Sequence, residues 1–305
     1  VTLFPHHGDA ATRLRELLRS AAETETIVQA PGCFDGLSAR LLEQAGFEAG
    51  FLGGFSVAAA RLGLPDVGLL SYGEMVDQAR SVCAATPLPI IGDGDTGYGN
   101  PINAERTLLG YAQAGLACVM IEDQVWPKRC GHTAGKEVVD RSEAVQRIRA
   151  CVRTRTEHGL DILVMARTDA VATHGLDEAL WRAEAFAEAG ADITFVEALE
   201  TPEQMERYCA KVPSHKTVNL VEDGKTPWLS PTSLAEIGYS LVIYPVSLLL
   251  AGITAMGGAA ERLASSGDAG GPRTSFDDAR HLVGWADYEE RMRTLSTEES
   301  PGSSI

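Results

Sequence analysis

Two short stretches carry the residues that could do chemistry. Glu122-Asp123 closes an apolar run, and Cys130 follows between Lys128-Arg129 and Gly131-His132. Upstream stands Asp93-Gly94-Asp95-Thr96-Gly97-Tyr98-Gly99. Clustered carboxylates suit a hard divalent cation, because Mg2+ takes oxygen ligands and keeps several waters, so one or two carboxylates suffice. A thiol flanked by Lys128, Arg129 and His132 is biased toward thiolate and reactivity. The two together suggest a metal-dependent enzyme in which the cation stabilises an enolate and the thiol handles its proton. The bland readings are a plain Asp/Gly turn for Asp93 and Asp95 and a buried structural thiol for Cys130. An EF-hand fails, since Tyr98 stands where glycine is needed and Ala104 where the bidentate glutamate belongs. No GxSxG elbow supports a serine hydrolase.

These residues need a scaffold, and short apolar runs alternate with helical patterns along the chain. Strands are predicted at Ile27–Ala30, Ala49–Leu52, Pro89–Gly92, Cys118–Glu122, Ile162–Ala166, Ile193–Glu197, Thr217–Leu220 and Leu241–Tyr244. Most are apolar without alternation, as strands covered on both faces should be. Helices are predicted at Leu37–Ala45, Tyr72–Ala84, Ala104–Ala114, Arg141–His158, Leu176–Ala189, Pro202–Ala210 and Pro231–Ile237. Ser142 and Thr201-Pro202 read as start signals. Eight βα units predict a closed (β/α)8 barrel of the TIM type. A doubly wound dinucleotide fold lacks its GxGxxG after the first strand. In such a barrel the chemistry sits at the carboxyl ends of the strands. Here strands three to seven end in Asp93/Asp95, Glu122/Asp123, Arg167/Asp169, Glu197 and Asn219, a run hard to ascribe to chance.

The barrel, with an N-terminal helix, is expected to occupy 1–263. A linker over 264–275, a C-terminal helix over 276–295 and a disordered tail over 296–305 follow. The last helix carries Leu282, Trp285, Tyr288 and Met292 at helical spacing, outside a barrel already complete. It must pack on its own barrel or on a neighbour's.

Bulk composition narrows the classes. The formal charge of −16 over 305 residues argues against a nucleic-acid binder. Six scattered cysteines without a CxxC pair fit free thiols in a reducing, cytoplasmic setting rather than disulfides or a zinc site. No apolar run is long enough to span a membrane. Arg13, Arg15 and Arg19 are interleaved with Asp9, Glu16 and Glu23, unlike a transit peptide.

The chain resembles the isocitrate lyase and phosphoenolpyruvate mutase superfamily. The resemblance rests on the segments 31–40, 62–66, Gly92–Gly99, Ile121–Gln124 with Pro127–His132, Ala166–Asp169, Phe195–Glu197 and Asn219–Pro227. Lys-Arg-Cys-Gly-His is specific to its lyase-type branches, which include dimethylmalate lyase, methylisocitrate lyase, the petal death protein and carboxyphosphonoenolpyruvate mutase. The resemblance implies a barrel whose last helix is swapped between subunits, in a homodimer or a dimer-of-dimers tetramer. It implies Mg2+, with Mn2+ as a substitute, at Asp93, with Asp95 and Glu122 acting largely through water. It places Phe51, Gly53, Gly54, Phe55, Asp66, Gly131 and Asn219 about the substrate, with backbone N–H groups of 53–55 on a carboxylate. Arg167 would hold the developing oxyanion, with Glu197, Lys128 and His132 beside it, and Cys130 would protonate the released enolate.

Two positions depart from the pattern. Lyase relatives often carry serine where Gly53 stands and tyrosine where Phe51 stands. Phe55 is bulky where methylisocitrate lyases have glycine, which favours the petal-death type. The activity implied is Mg2+-dependent C–C cleavage of a small anionic di- or tricarboxylate, foremost a 2-hydroxy (or 2-oxo) dicarboxylate such as a 2-alkylmalate. The alternatives are a phosphonomutase forming a P–C bond, an oxaloacetate hydrolase and, last, a non-catalytic barrel.

Overall fold

A two-residue period organises the centre of the molecule. In the computed structural model, which describes residues 3–5, 8–129 and 135–298, eight parallel strands close on themselves. They are β1 (Val28–Cys33), β2 (Gly50–Leu52), β3 (Ile90–Asp93), β4 (Cys118–Glu122), β5 (Leu163–Thr168), β6 (Ile193–Val196), β7 (His215–Asn219) and β8 (Leu241–Tyr244). Each pairs with the next, and β1 closes on β8 with Ala30 opposite Ile243. All eight sequence-predicted strands are present, displaced by three residues at most at either end. The chain forms the (β/α)8 barrel its pattern predicts.

Successive strand residues point to opposite faces. One set forms a single buried cluster: Ala30, Phe51, Ile91, Met120, Met165, Phe195 and Ile243, closed below by Leu14 and Leu18 of the helix Ala10–Thr24. The alternate set, such as Ile90, Val119, Ile121 and Val164 or Val196, Val218 and Val242, packs under the surrounding helices. Two residues further along the inward set the chemistry changes. Ile91 leads to Asp93, Met120 to Glu122, Met165 to Arg167, Phe195 to Glu197 and Thr217 to Asn219. An apolar plug thus carries a polar ring at its carboxyl-terminal end.

The helices begin where capping chemistry allows. Thr201 Oγ1 accepts from Gln204 N–H ahead of Pro202, as expected. The helix Arg141–Glu157 is capped by Asp140, whose Oδ1 accepts from Glu143 N–H at 2.9 Å, and not opened by Ser142. The helix predicted from Ala104 starts at Pro101, because Asn100 caps it.

The C-terminal region differs most from expectation. A 20-residue helix, Ser247–Ser266, follows β8 and takes up the start of the expected linker. The segment expected as one helix is two, Phe276–Leu282 and Trp285–Glu298, broken at Gly284, whose φ of 81° is left-handed. The helix also runs past residue 296, where the tail was expected to begin. Ile253, Met256, Phe276, Trp285, Tyr288 and Met292 are exposed. Among the described residues no helix is long and apolar enough to cross a membrane.

Candidate active site

The polar ring lines a cavity of about 240 Å3 at the carboxyl-terminal end of the barrel. Phe51, Gly53, Phe55, Asp66, Asp93, Glu122, Lys128, Arg167, Glu197 and Asn219 all reach it, so the structure gathers most of the sequence-predicted residues at one place. Gly54 and Asp95 stand directly behind them, in contact with Asp93. Cys130, Gly131 and His132 lie outside the described residues.

Asp93 is held by the main chain. Its Oδ1 accepts from Asp95 N–H and its Oδ2 from Gly54 N–H, each at 3.0 Å. Its carbonyl accepts from Tyr111 O–H at 2.6 Å, which ties the strand end to the helix Pro101–Ala114. Gly54 N–H, expected to face a substrate carboxylate, is therefore directed at Asp93. A Cβ at position 54 would come within 3.1 Å of Asp93 Oδ2, so a larger residue there would press on that carboxylate. Asp95 adopts a left-handed φ of 48°, and its carbonyl accepts from Glu122 N–H at 2.9 Å, joining the ends of β3 and β4.

Lys128 is buried between Asp66 Oδ1 at 2.6 Å and Asp95 Oδ1 at 2.8 Å. Its charge is thus committed to two carboxylates. Burial pushes the Asp95 carboxyl up to about 7, opposed by Lys128 and reinforced by Asp93 and Asp66. The Lys128 ammonium is held well above its usual value: burial opposes its charge, but Asp95, Asp93, Asp66 and Glu122 together outweigh that.

Arg167 is the hub of the opposite wall. Nε and Nη2 donate to Asp169 Oδ2 and Oδ1 at 2.8 and 3.0 Å. Nη1 lies 3.3 Å from Glu197 Oε2, and Nε lies 3.4 Å from Glu122 Oε2. Asn219 Nδ2 donates to Glu197 Oε2 at 3.4 Å. Burial drives the Glu122 carboxyl well above the carboxylate range despite Arg167, and Glu122 Oε1 has no hydrogen-bond partner among the described residues. Asp169 is buried too, but Arg167 and Lys136 outweigh that and hold its carboxyl low.

Asp123, next to Glu122 in sequence, faces away from the cavity. It accepts from Thr168 Oγ1 at 2.6 Å, Asp169 N–H at 2.9 Å and Arg182 Nη1 at 3.0 Å, and so locks β4 to β5. Phe51 lays its ring over Gly53, where a Cβ would come 2.9 Å from Cε1. A side chain at position 53 would therefore need that ring to shift.

Sequence reasoning missed several supports. Lys136 Nζ reaches Asp169 Oδ1 at 2.6 Å. Arg147 Nη1 donates to the carbonyls of Glu122 and Gln124 at 3.1 and 2.9 Å. Tyr111 holds Asp93. These residues sit on helices or in a loop, and nothing in their spacing sets them apart from surface or core positions.

Six buried carboxylates (Asp66, Asp93, Asp95, Glu122, Asp169, Glu197) face three buried cations, Lys128, Lys136 and Arg167. An acidic excess of that size inside a barrel is relieved by protonation or by a bound cation. Fold and site together define a (β/α)8-barrel enzyme with an acidic, arginine-bearing pocket built for a small polar ligand. Residues 17–264 match the model of the phosphoenolpyruvate phosphomutase family, and the chain belongs to that family, within the PEP mutase/isocitrate lyase superfamily. It is 43% identical to 2,3-dimethylmalate lyase of Eubacterium barkeri over 81% of this chain and 84% of that one. It is 40% identical to 2-methylisocitrate lyase of Bacillus subtilis over 80% and 78%. The structure of oxaloacetate acetylhydrolase in complex with 3,3-difluorooxalacetate superposes with a TM-score of 0.90 at 33% identity, covering 94% of this chain and 97% of that one.

Proposed function

We propose that this protein is a divalent-cation-dependent carbon–carbon lyase that cleaves a small 2-hydroxy dicarboxylate such as a 2-alkylmalate. The observation that carries the reading is the pairing, in one cavity, of the Asp93 and Glu122 carboxylates with the Arg167 guanidinium, with Asp95 directly behind Asp93. The cavity of about 240 Å3 has room for a small diacid and a few waters. The lyase names of the relatives point the same way.

The donor set fits a hard cation. Among the described residues Glu122 Oε1 is buried without a hydrogen-bond partner, and the pocket lining carries more carboxylates than cations. Among the described residues no three ligating side chains converge on one point. Asp93 would hold the ion, with Asp95 and Glu122 acting through water, as Mg2+ allows. Bound there, Mg2+ or Mn2+ would polarise substrate oxygens and offset developing negative charge.

The chain's own residues do the rest. As the C2–C3 bond of the substrate breaks, the 2-hydroxyl passes its proton to solvent water and becomes the carbonyl of a 2-oxo acid. The electron pair stays on C3 and delocalises into the adjacent carboxylate as an enolate. Arg167, held by Asp169 and Glu197, presents a fixed cation to that charge. Lys128 holds Asp66 and Asp95 in place. Cys130 gives its proton to C3, releasing a monocarboxylate. The apolar side of the cavity, with Phe51, Ile243 and Val246, suits the alkyl branch.

The exposed apolar residues of Ser247–Ser266 and of the two last helices are best covered by a second copy, in a homodimer or a dimer of dimers. The buried free thiols suit a cytoplasmic, reducing setting. The reading is tested by incubating the protein and Mg2+ with alkylmalates, methylisocitrate, oxaloacetate and phosphonopyruvate. Products are followed by proton and phosphorus NMR. Cleavage of an alkylmalate to a 2-oxo acid supports it. Phosphorus turnover without C–C cleavage replaces it with the phosphonomutase reading, and acetate plus oxalate with the oxaloacetate hydrolase reading.

A further inference from the structure

We infer that Lys136 is a positioning residue for Arg167, acting through Asp169. Only its ligand-binding readout rests on the lyase reading; the geometry stands without it.

The backbone places Lys136 firmly. The excursion after β4 returns beside its own start: Val125 N–H donates to Glu137 O and Val139 N–H to Asp123 O, each at 2.9 Å, with Gln124 opposite Val138. The residues next to Lys136 are therefore tied to the end of β4. Its ammonium turns inward, 2.6 Å from Asp169 Oδ1, with only 2% of the side chain exposed. A lysine is buried this far only when its charge is met.

Asp169 is the carboxylate that grips Arg167. It takes the Nε–Nη2 edge of the guanidinium side-on, which leaves Nη1 facing Glu197 and the cavity. Two other carboxylates, Glu122 and Glu197, lie within 3.4 Å of the same guanidinium and compete for it. Which of the three wins fixes the edge presented to a ligand. Lys136 biases that competition. Its contact with Oδ1 fixes the rotation of the Asp169 carboxylate, whose main chain is already anchored through its N–H to Asp123 Oδ1. Without the ammonium the carboxylate can turn, the side-on grip loosens, and Arg167 can move toward Glu122 or Glu197.

The test uses the full-length protein labelled with 15N-arginine. The Arg167 Nε–H resonance is identified by its loss in Arg167→Lys. In the wild type it should be sharp and slow to exchange. In Lys136→Met it should shift and broaden, while Lys136→Arg retains it. Calorimetry with oxalate in saturating Mg2+ should show affinity falling about tenfold or more in Lys136→Met, the scale of a lost charge-assisted contact. In an Asp169→Asn background the same substitution should change affinity less than about threefold, because the route through Asp169 is already broken. An unchanged Arg167 resonance in folded Lys136→Met, or equal losses in both backgrounds, overturns the inference. If Lys136→Met does not fold, Lys136→Gln removes the charge and keeps a donor. The same resonance should then shift, and its constancy counts against the inference. If oxalate does not bind the wild type, the lyase reading fails while the resonance still decides this one.

Discussion

Glu122 and Asp123 are neighbouring acids at the end of one strand, and their removal should have opposite consequences. Asp123 is 1% exposed and serves three donors: the Thr168 hydroxyl, the Asp169 N–H and the Arg182 guanidinium. Burial pushes its carboxyl up, opposed by the hydrogen bonds from Thr168 and Asp169 and by the charge of Arg182. Asp123→Ala leaves all three donors without it, and among the described residues Arg182, itself 3% exposed, keeps only Glu178 at 2.9 Å. Breaking a buried pair of this kind costs about 3–5 kcal/mol. At roughly 2 °C per kcal/mol for a chain of this length, Tm should fall by about 6–10 °C.

Glu122 faces the cavity, and one of its oxygens has no hydrogen-bond partner among the described residues. Burial raises its folded pKa, so above the unfolded value near 4.5 its charge opposes folding. Glu122→Gln removes that charge and should leave Tm unchanged or higher at pH 7 in EDTA, while turnover falls roughly 10²-fold or more. Differential scanning fluorimetry and a 2-oxo-acid assay on the two variants decide it. A Tm loss in Asp123→Ala under 2 °C, or a larger loss in Glu122→Gln than in Asp123→Ala, would refute the assignment of inward and outward roles.

Other outcomes follow from the same geometry. Cys130→Ser should lose about 10²-fold in kcat with little change in KM, the scale of general acid catalysis; near-normal turnover would show that the proton comes from elsewhere. Burial raises the thiols of Cys33, Cys83, Cys118 and Cys151, those of Cys83 and Cys151 to about 12. At pH 8 their thiolate fractions should be on the order of 10⁻⁴ or less, so iodoacetamide should leave these four unmodified in the native protein by peptide mass spectrometry. Gly54→Ala should impair Mg2+-dependent activity more than stability, because its methyl would meet Asp93 Oδ2 at 3.1 Å; equal activity with normal Mg2+ dependence contradicts the packing described. Light scattering at micromolar concentration should give a dimer or tetramer, and a monomer would leave the exposed Ile253, Met256 and Trp285 unexplained.

The barrel was legible because its strands are local signals. Apolar runs such as Cys118–Glu122 and Leu241–Tyr244 stand between helical patterns, and their ends fall where the run turns polar. The polar ring was legible for the same reason, since Asp93, Glu122, Arg167, Glu197 and Asn219 each end such a run. The helix Ser247–Ser266 was not. It is rich in glycine and alanine and has no side-chain cap at Val246, so neither periodicity nor a start signal marks it. The direction of Asp123 was hidden as well, because the one-residue step from Glu122 reverses which face it points to. Lys136, Arg147 and Tyr111 act across 18–33 residues of sequence, through contacts that only the closed barrel creates.

The central claim is C–C cleavage through an enolate that requires a divalent cation. The most direct measurement is proton NMR of the protein with 2,3-dimethylmalate in D2O, in Mg2+ and in EDTA. Pyruvate and propionate carrying one deuterium at C2 should accumulate in equal amounts with Mg2+, and neither should form in EDTA. Full turnover in EDTA, or no cleavage of this or any other alkylmalate with Mg2+, would contradict the account.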